Sequence, residues 1–187
     1  MDTRQHFLEE VRRQLRGYKR MAEGAISQLR DEDLFVKMDP ESNSIAILMK
    51  HIAGNMRSRF TDFLTTDGEK PDRHRDTEFE VKSKDTRAEL MQNWESGWKV
   101  VLSTVESLTP EDVDRTVTIR QEPHTVLQAL NRALAHYSAH IGQIVFLAKH
   151  LRSSEWKTLS IPRGKSDEFN AAARQGGSPS HEKGVMR

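Results

Sequence analysis

Apolar residues recur every three or four positions in four stretches of the chain, and this spacing constrains the fold more than any other feature. Side chains at that interval lie on one face of an α-helix. The stretches cover residues 7–29, 45–63, 90–108 and 126–151. Because each combines one narrow apolar face with wide polar surfaces, the helices must pack against one another. The sequence predicts an all-α four-helix bundle, which suits a chain with 35% hydrophobic and 30% charged residues.

Residues typical of helix ends flank these stretches. Ser44 precedes the second stretch as a good N-cap, and the third and fourth open with capping boxes that begin at Thr86 and Thr125. After the second stretch, Gly68 follows Asp67, and a glycine favours the left-handed conformation of a C-cap. We therefore expect the second helix to end near these two residues.

The connection between the second and third helices is long. From Leu64 to Thr86 the chain has about 20 mostly polar residues, whereas antiparallel neighbours need only a short loop. A long connection permits a return along the whole bundle, which places these two helices parallel. Before the fourth helix, Val117 and Ile119 alternate with polar residues, which indicates a short extended ribbon.

The composition changes near the C-terminus. Residues 176–180 read Gly-Gly-Ser-Pro-Ser and show no apolar periodicity. A segment of this kind buries too little apolar surface to order itself. We expect residues 1–163 to form the bundle and residues 164–187 to form a flexible tail.

Charge, hydropathy and cysteine content exclude several classes of protein. The formal net charge is +1, so no electrostatic footprint for nucleic acid or an anionic membrane is present. The longest fully apolar runs have five residues, whereas a membrane-spanning helix needs roughly 20. The N-terminal residues lack the apolar core of a signal peptide, and we expect a cytoplasmic protein. Because there is no cysteine, any metal site must use nitrogen and oxygen ligands.

Three of the eight histidines lie on predicted apolar helix faces. His136 and His140 are four residues apart, so both project from one face of the fourth helix. His51 lies beside the apolar stripe of the second helix and is the best candidate for a third ligand. Two interpretations remain open from the pattern alone: a shared metal ion, or buried imidazoles that each find a hydrogen-bond partner.

The other five histidines are expected at the solvent-exposed surface. They lie in polar surroundings or next to a helix cap: His6, His74, His124, His150 and His181. Familiar catalytic signatures are absent from the sequence. It has no Glu-x-x-His of a di-iron bundle, no His-Glu-x-x-His of a zinc protease and no Gly-x-Ser-x-Gly nucleophile elbow.

His51, together with the block His136-Tyr-Ser-Ala-His-Ile-Gly-Gln143, resembles the DinB/YfiT-like metalloproteins. Two further blocks, residues 54–71 and 160–170, resemble one uncharacterised subgroup of that superfamily. The resemblance covers about residues 1–170. It implies a four-helix bundle with up-down-down-up order and a divalent-metal site formed by His51, His136 and His140. It also implies that the chain forms a homodimer, and some members are thiol S-transferases that use bacillithiol, mycothiol or glutathione.

Polar residues near the proposed ligands have candidate roles. Asn55 and Gln143 each lie about one turn from a ligand. They could orient an imidazole or a bound water, or they could be ordinary amides on the helix surface. Four arginines cluster around the second helix and its following loop. They could hold the carboxylates of an anionic thiol or substrate, or they could form salt bridges with nearby aspartates. The residues concerned are Arg57, Arg59, Arg73 and Arg75, with Asp62, Asp67, Asp72 and Asp76.

The leading functional hypothesis is a metal-dependent transferase. Three imidazoles leave at least one open coordination position, which is typical of catalytic sites, and they suit Zn, Ni or Fe. A low-molecular-weight thiol bound there would be favoured as the thiolate and would attack a small electrophile. The histidines would be ligands and not acid–base groups. The alternatives are a non-catalytic, stress-related metal-binding or dimeric module, and a metal-dependent hydrolase or isomerase.

Overall fold

The computed structural model describes residues 2–175, which form five α-helices and one β-hairpin. Four of the helices correspond to the four predicted amphipathic stretches. Short 3-10 turns lie at Glu32–Phe35, Arg75–Phe79, Pro110–Asp112 and Ser153–Glu155. The regular elements are α1 (Thr3–Ile26), α2 (Ile45–Phe60), α3 (Arg87–Ser107), β1 (Thr116–Ile119), β2 (Glu122–Thr125), α4 (Val126–Arg152) and α5 (Ser166–Arg174).

The predicted caps start the helices. The Ser44 hydroxyl accepts the Ile47 N–H at the start of α2, and the Thr86 hydroxyl accepts an N–H of the first turn of α3. At α4 both halves of the capping box form. The Gln128 N–H donates to the Thr125 hydroxyl, and the Thr125 N–H donates to the Gln128 side chain. These contacts satisfy N–H groups that have no partner within the helix.

Helix α2 ends earlier than the sequence predicted. Its last residue is Phe60, and the chain turns at Asp62, which has a φ of 49°. Asp tolerates this left-handed conformation better than most residues. The expected C-cap at Gly68 is wrong, since Gly164 is the glycine with a positive φ within residues 2–175. Gly68 instead lies against the end of α2, where its carbonyl accepts the Ser58 hydroxyl at 2.8 Å.

Helices α2 and α3 run side by side in the same direction. Lys50, near the start of α2, pairs with Asp85 just before α3 at 2.7 Å. The Phe60 carbonyl at the end of α2 accepts the Thr104 hydroxyl, late in α3, at 3.0 Å. The long connection therefore returns along the length of α2, and its second half passes back over the face of that helix.

The core lies between the four long helices and is closed at one end by the hairpin. Trp94 and Trp98 are fully buried in an edge-to-face arrangement with ring centroids 5.6 Å apart. In the hairpin, β1 pairs antiparallel with β2, and Val117 and Ile119 face the core with 4% exposure each. The extended ribbon predicted around these residues is thus one strand of a hairpin.

The predicted C-terminal tail contains a short helix. Helix α5 buries none of its residues, and residues 176–187 lie outside the described part of the chain. Flexibility of the tail stays a prediction. Over residues 2–175, no helix combines the length and the apolar character that crossing a membrane requires.

Candidate metal centre

The structure brings the three predicted histidines together. His51 comes from α2, and His136 and His140 come from successive turns of α4. The His136 Nε2 atom lies 3.2 Å from Nε2 of His51 and 3.1 Å from Nε2 of His140. Among the described residues, these three form the cluster whose ligand atoms all lie within 4.8 Å of one another.

Hydrogen bonds at the opposite ring nitrogens determine which atoms face the centre of this cluster. His51 Nδ1 lies 2.9 Å from the Glu78 carboxylate, and His140 Nδ1 lies 2.8 Å from the side-chain oxygen of Gln143. An oxygen acceptor requires the proton on Nδ1, so in the neutral form of each imidazole Nε2 carries a lone pair. The His136 Nε2 atom therefore lies between two nitrogen lone pairs.

The donor set fits a divalent metal ion. Two nitrogens bound to one tetrahedral ion at 2.0–2.1 Å lie about 3.3–3.4 Å apart, close to the observed 3.1 and 3.2 Å. A single proton on His136 Nε2 can satisfy only one of its two neighbours well. A cation at the centre satisfies all three lone pairs. The residues that would hold it are His51, His136 and His140.

Burial keeps two of these imidazoles neutral. Burial, with a smaller contribution from the neighbouring histidines, lowers the pKa of His136 from 6.5 to about 3. Burial also lowers the pKa of His140, although its hydrogen bond to Gln143 acts in the opposite direction. Neutral imidazoles are the form that binds metal ions. At neutral pH His136 and His140 are therefore ready to act as ligands.

Glu78 is the residue of this site that the sequence pattern did not identify. It lies in the 3-10 turn Arg75–Phe79, within the long connection that returns over α2. Arg73 Nε and Nη2 donate to its two oxygens at 2.9 and 3.0 Å. Burial opposes its ionisation, but the hydrogen bonds from His51 and Arg73 outweigh it and hold the pKa of Glu78 below its usual value. A carboxylate is thus fixed behind the His51 imidazole.

A glycine leaves the space that Glu78 occupies. A Cβ atom at Gly54, one turn after His51 on α2, would lie 2.8 Å from Glu78 Cδ and would overlap its carboxylate. On another side of the imidazole, the Phe79 ring centroid lies 5.1 Å from that of His51. No signal in one sequence links Gly54 to Glu78, because 24 positions separate them.

A match to a protein-family model covers residues 2–165, nearly the whole described chain. Its description reads "Protein of unknown function (DUF1572)". The chain belongs to this DUF1572 family. No curated protein and no solved structure shows significant similarity to it.

Of the two amides considered for this DUF1572 site, only one contacts a proposed ligand. Gln143 orients His140, as proposed, whereas the Asn55 side chain accepts the Tyr137 hydroxyl at 3.0 Å. Of the remaining histidines, His124 is half-buried and His181 lies outside the described residues, while three are exposed: His6, His74 and His150.

The four predicted arginines form ion pairs or hydrogen bonds, mostly with partners other than those predicted. Arg59 pairs with Glu69 at 3.0 Å, and Arg57 donates to the side chain of Asn93 at 2.6 Å. Of the predicted aspartate partners, only Asp76 contacts one of these four, as it lies 3.5 Å from Arg75. Apart from that pair, the predicted aspartate network is wrong for the described residues, because Arg59 and Arg73 pair with Glu69 and Glu78 instead. Asp67 accepts backbone N–H groups and not an arginine side chain.

Proposed function

We propose that the chain is a divalent-metal-binding protein whose ion is held by His51, His136 and His140. The convergence of three Nε2 atoms carries this proposal, because Nδ1 of His51 and of His140 each faces an oxygen acceptor, which leaves Nε2 of the neutral rings free to bind an ion. Glu78 and Gln143 support it by fixing the ring orientation behind two of the ligands. All-imidazole ligation suits Zn, Ni or Fe.

The DinB-type helix order is part of the same proposal. Arg12, in the first half of α1, donates to the Val105 carbonyl near the end of α3 at 2.9 Å, which supports antiparallel packing of these helices. Gln28, just beyond α1, donates to the Lys157 carbonyl just beyond α4, so both helices end at the same end of the bundle. With α2 parallel to α3, these contacts support up-down-down-up order.

We further propose that the site catalyses transfer of a low-molecular-weight thiol to a small electrophile. A bound divalent ion supplies the positive charge that favours the thiolate over the thiol at neutral pH. Glu78 holds the His51 ring in place through Nδ1, and Gln143 does the same for His140. In the transfer, the sulfur–carbon bond forms as the bond from carbon to the leaving group breaks, and the thiol proton passes to the buffer.

Metal content of purified variants tests the binding proposal. We expect the wild-type protein to carry about one equivalent of a divalent metal by elemental analysis and the His140→Ala variant to lose most of it. His150→Ala is the matched control, because His150 lies on the same helix and is exposed. Equal metal content in the His140→Ala variant and the wild type would falsify the proposed site.

Thiol consumption with 1-chloro-2,4-dinitrobenzene tests the proposed activity. The rate with bacillithiol, mycothiol or glutathione should rise on metal loading and disappear in the His140→Ala variant. Stoichiometric metal without turnover would instead support a non-catalytic, stress-related module. Turnover of an ester or amide panel without any thiol would support a metal-dependent hydrolase or isomerase.

The homodimer implied by the superfamily resemblance is also a proposal. Phe146, on the outer face of α4, is 61% exposed. A large aromatic side chain exposed to this degree favours contact with a second chain. Sedimentation equilibrium should show a dimer for the wild type and a monomer for Phe146→Asp. A dimer that persists in the variant rules out this face.

A further inference from the structure

A cavity of about 190 Å³ opens beside two of the histidines of the candidate metal centre. His51 and His136 form part of its wall, between α2, α4 and the hairpin. We call it the arginine cavity, because five guanidinium groups line it and, among the residues that the structure describes, no carboxylate does. The five residues are Arg59, Arg73, Arg75, Arg120 and Arg132.

The carboxylates behind the wall neutralise only part of this charge. Glu69 is shared between Arg59 and Arg120, at 3.0 and 2.8 Å. Glu78 pairs with one further arginine of the cavity, and Asp76 pairs with another. Asp67 is a fourth carboxylate beside this wall, since it accepts the Arg120 backbone N–H at 2.8 Å. Five positive charges thus face four negative ones, and one positive charge is left over. A metal ion at the histidines would add to this excess.

Two of the arginines are placed to contact a ligand directly. Arg75 is 47% exposed, and its guanidinium lies over the Phe79 ring at 4.8 Å, with Asp76 at 3.5 Å. Arg132 is exposed on α4, and its nearest described polar partner is His124 Nε2 at 3.5 Å. Both side chains can therefore turn towards a ligand without breaking a close ion pair. A guanidinium matches a carboxylate with two parallel hydrogen bonds.

The remaining wall is apolar. Phe60, Phe63 and Ile119 are buried at 2%, 6% and 4% exposure, and Ala129 and Ala133 of α4 complete that side. Aromatic and aliphatic carbon next to cationic groups favours a molecule that has both an apolar body and a negative end group. Neither an inorganic anion nor a neutral apolar compound would use both halves of the wall.

We propose that the arginine cavity binds a small carboxylate with an apolar body, held by Arg75 and Arg132 with its apolar part against Phe60, Phe63 and Ile119. For its chemistry this inference rests on the proposed function, and it deepens that function because it names the class of the electrophile: a carboxylate with an apolar body. Binding itself depends on residues other than the histidines, so it is measurable with or without the metal.

Isothermal titration with a matched pair of probes tests the proposal. 4-Phenylbutyrate carries the carboxylate and the apolar body, and 4-phenylbutyramide keeps the body without the charge. We expect the carboxylate to bind at least 10-fold more tightly than the amide and to weaken as salt rises, because salt screens its attraction to the guanidinium groups. Inorganic phosphate should bind more weakly than 4-phenylbutyrate. Equal affinity for carboxylate and amide, or for phosphate and carboxylate, would overturn the proposal.

Variants assign the binding to the arginine cavity. The double variant Arg75→Gln with Arg132→Gln should lose about 10-fold in affinity for 4-phenylbutyrate and keep its affinity for the amide. Arg20→Gln is the control, since Arg20 is exposed on α1, which contributes no residue to the cavity. Arg75 and Arg132 are both exposed, so the double substitution leaves the core intact, and circular dichroism should show unchanged folding. Unchanged affinity for 4-phenylbutyrate in the double variant would overturn the assignment.

Titrations of chelator-treated wild type and of His140→Ala separate this proposal from that of the metal site. The arginine cavity is supported, even if no metal is ever bound, when two results hold. 4-Phenylbutyrate still binds the chelator-treated wild type and His140→Ala, and its affinity falls in the double arginine variant. Carboxylate binding that requires the metal and ignores the arginine substitutions would mean that the probe binds the ion. In that case the arginine cavity is rejected and the metal site stands.

Discussion

At the scale of single residues, the orientation of one imidazole depends on a glycine and a glutamate that lie far apart in the sequence. The Glu78 carboxylate accepts a hydrogen bond from His51 Nδ1, and Arg73 donates a hydrogen bond to the same carboxylate. Gly54 leaves the room that this carboxylate requires. The site therefore includes residues that bind no metal but determine where a ligand points.

Replacing Gly54 with alanine should weaken metal binding. The new Cβ would overlap the Glu78 carboxylate and push it away from His51, and loss of such an orienting partner typically costs 10–100-fold in metal affinity. Competition with a chromogenic chelator measures this change. Gly142→Ala is the control, because nothing lies within 4 Å of the added carbon. An affinity that matches the control would contradict the role of Glu78.

The buried His136 predicts a pH dependence of the metal-free protein. Its pKa is 6.5 in the unfolded chain and about 3 in the folded one, so between these values the unfolded state binds more protons. The free energy of unfolding therefore falls as the pH drops from 6.5 to 3, by at most about 1.4 kcal/mol per pH unit from this group. Urea unfolding in the presence of a chelator measures it.

A variant separates the contribution of His136 to this pH dependence from that of the Asp and Glu side chains, which also titrate at acidic pH. His136→Gln removes the titrating group, so its free energy of unfolding should fall less steeply than that of the wild type between pH 6.5 and pH 4. Parallel pH profiles for the two proteins would show that the imidazole does not titrate differently on folding.

At the scale of secondary-structure elements, the parallel pair α2 and α3 depends on close backbone approach. A Cβ atom at Gly97 of α3 would lie 2.9 Å from the Ala53 Cα of α2 and 3.1 Å from its carbonyl oxygen. The two helices are thus in contact through their main chains. Their spacing places α2, and with it His51, relative to the rest of the bundle.

Two glycine substitutions should change stability in opposite directions. Gly97→Ala should lower the free energy of unfolding by about 1–3 kcal/mol, because the added carbon forces the helices apart. Gly142→Ala should raise it by about 0.4–1 kcal/mol, since the exposed alanine fits the helix and restricts the unfolded chain. Urea denaturation of both variants checks the pair. A stabilising Gly97→Ala would disprove the close packing.

At the scale of the whole molecule, the candidate metal centre joins α2 to α4, and the long connection adds the carboxylate behind it. An ion that binds only the folded protein stabilises the fold in proportion to the logarithm of its concentration over the dissociation constant. Metal binding and global stability are therefore expected to be linked.

Removing the metal should lower the melting temperature. At a metal concentration 100 times the dissociation constant the ion contributes about 2.7 kcal/mol, which corresponds to roughly 5–10 °C for a chain of this length. Differential scanning calorimetry with metal, and again after chelation, measures the change. The His140→Ala variant should melt at the same temperature in both conditions. If metal raised the melting temperature of His140→Ala as much as that of the wild type, the ion would bind somewhere other than the three histidines.

The sequence by itself determined the four long helices, the N-caps of α2, α3 and α4, and the three candidate ligands, because helix periodicity and N-capping depend on residues only a few positions apart. Only the tertiary structure decided that α2 ends at Phe60, that Glu78 lies behind His51 and that five arginines surround one cavity. These features depend on how the long connection returns over α2 and meets the hairpin. Contacts between positions that lie tens of residues apart leave no periodic signal in a single chain, and packing alone brings them together.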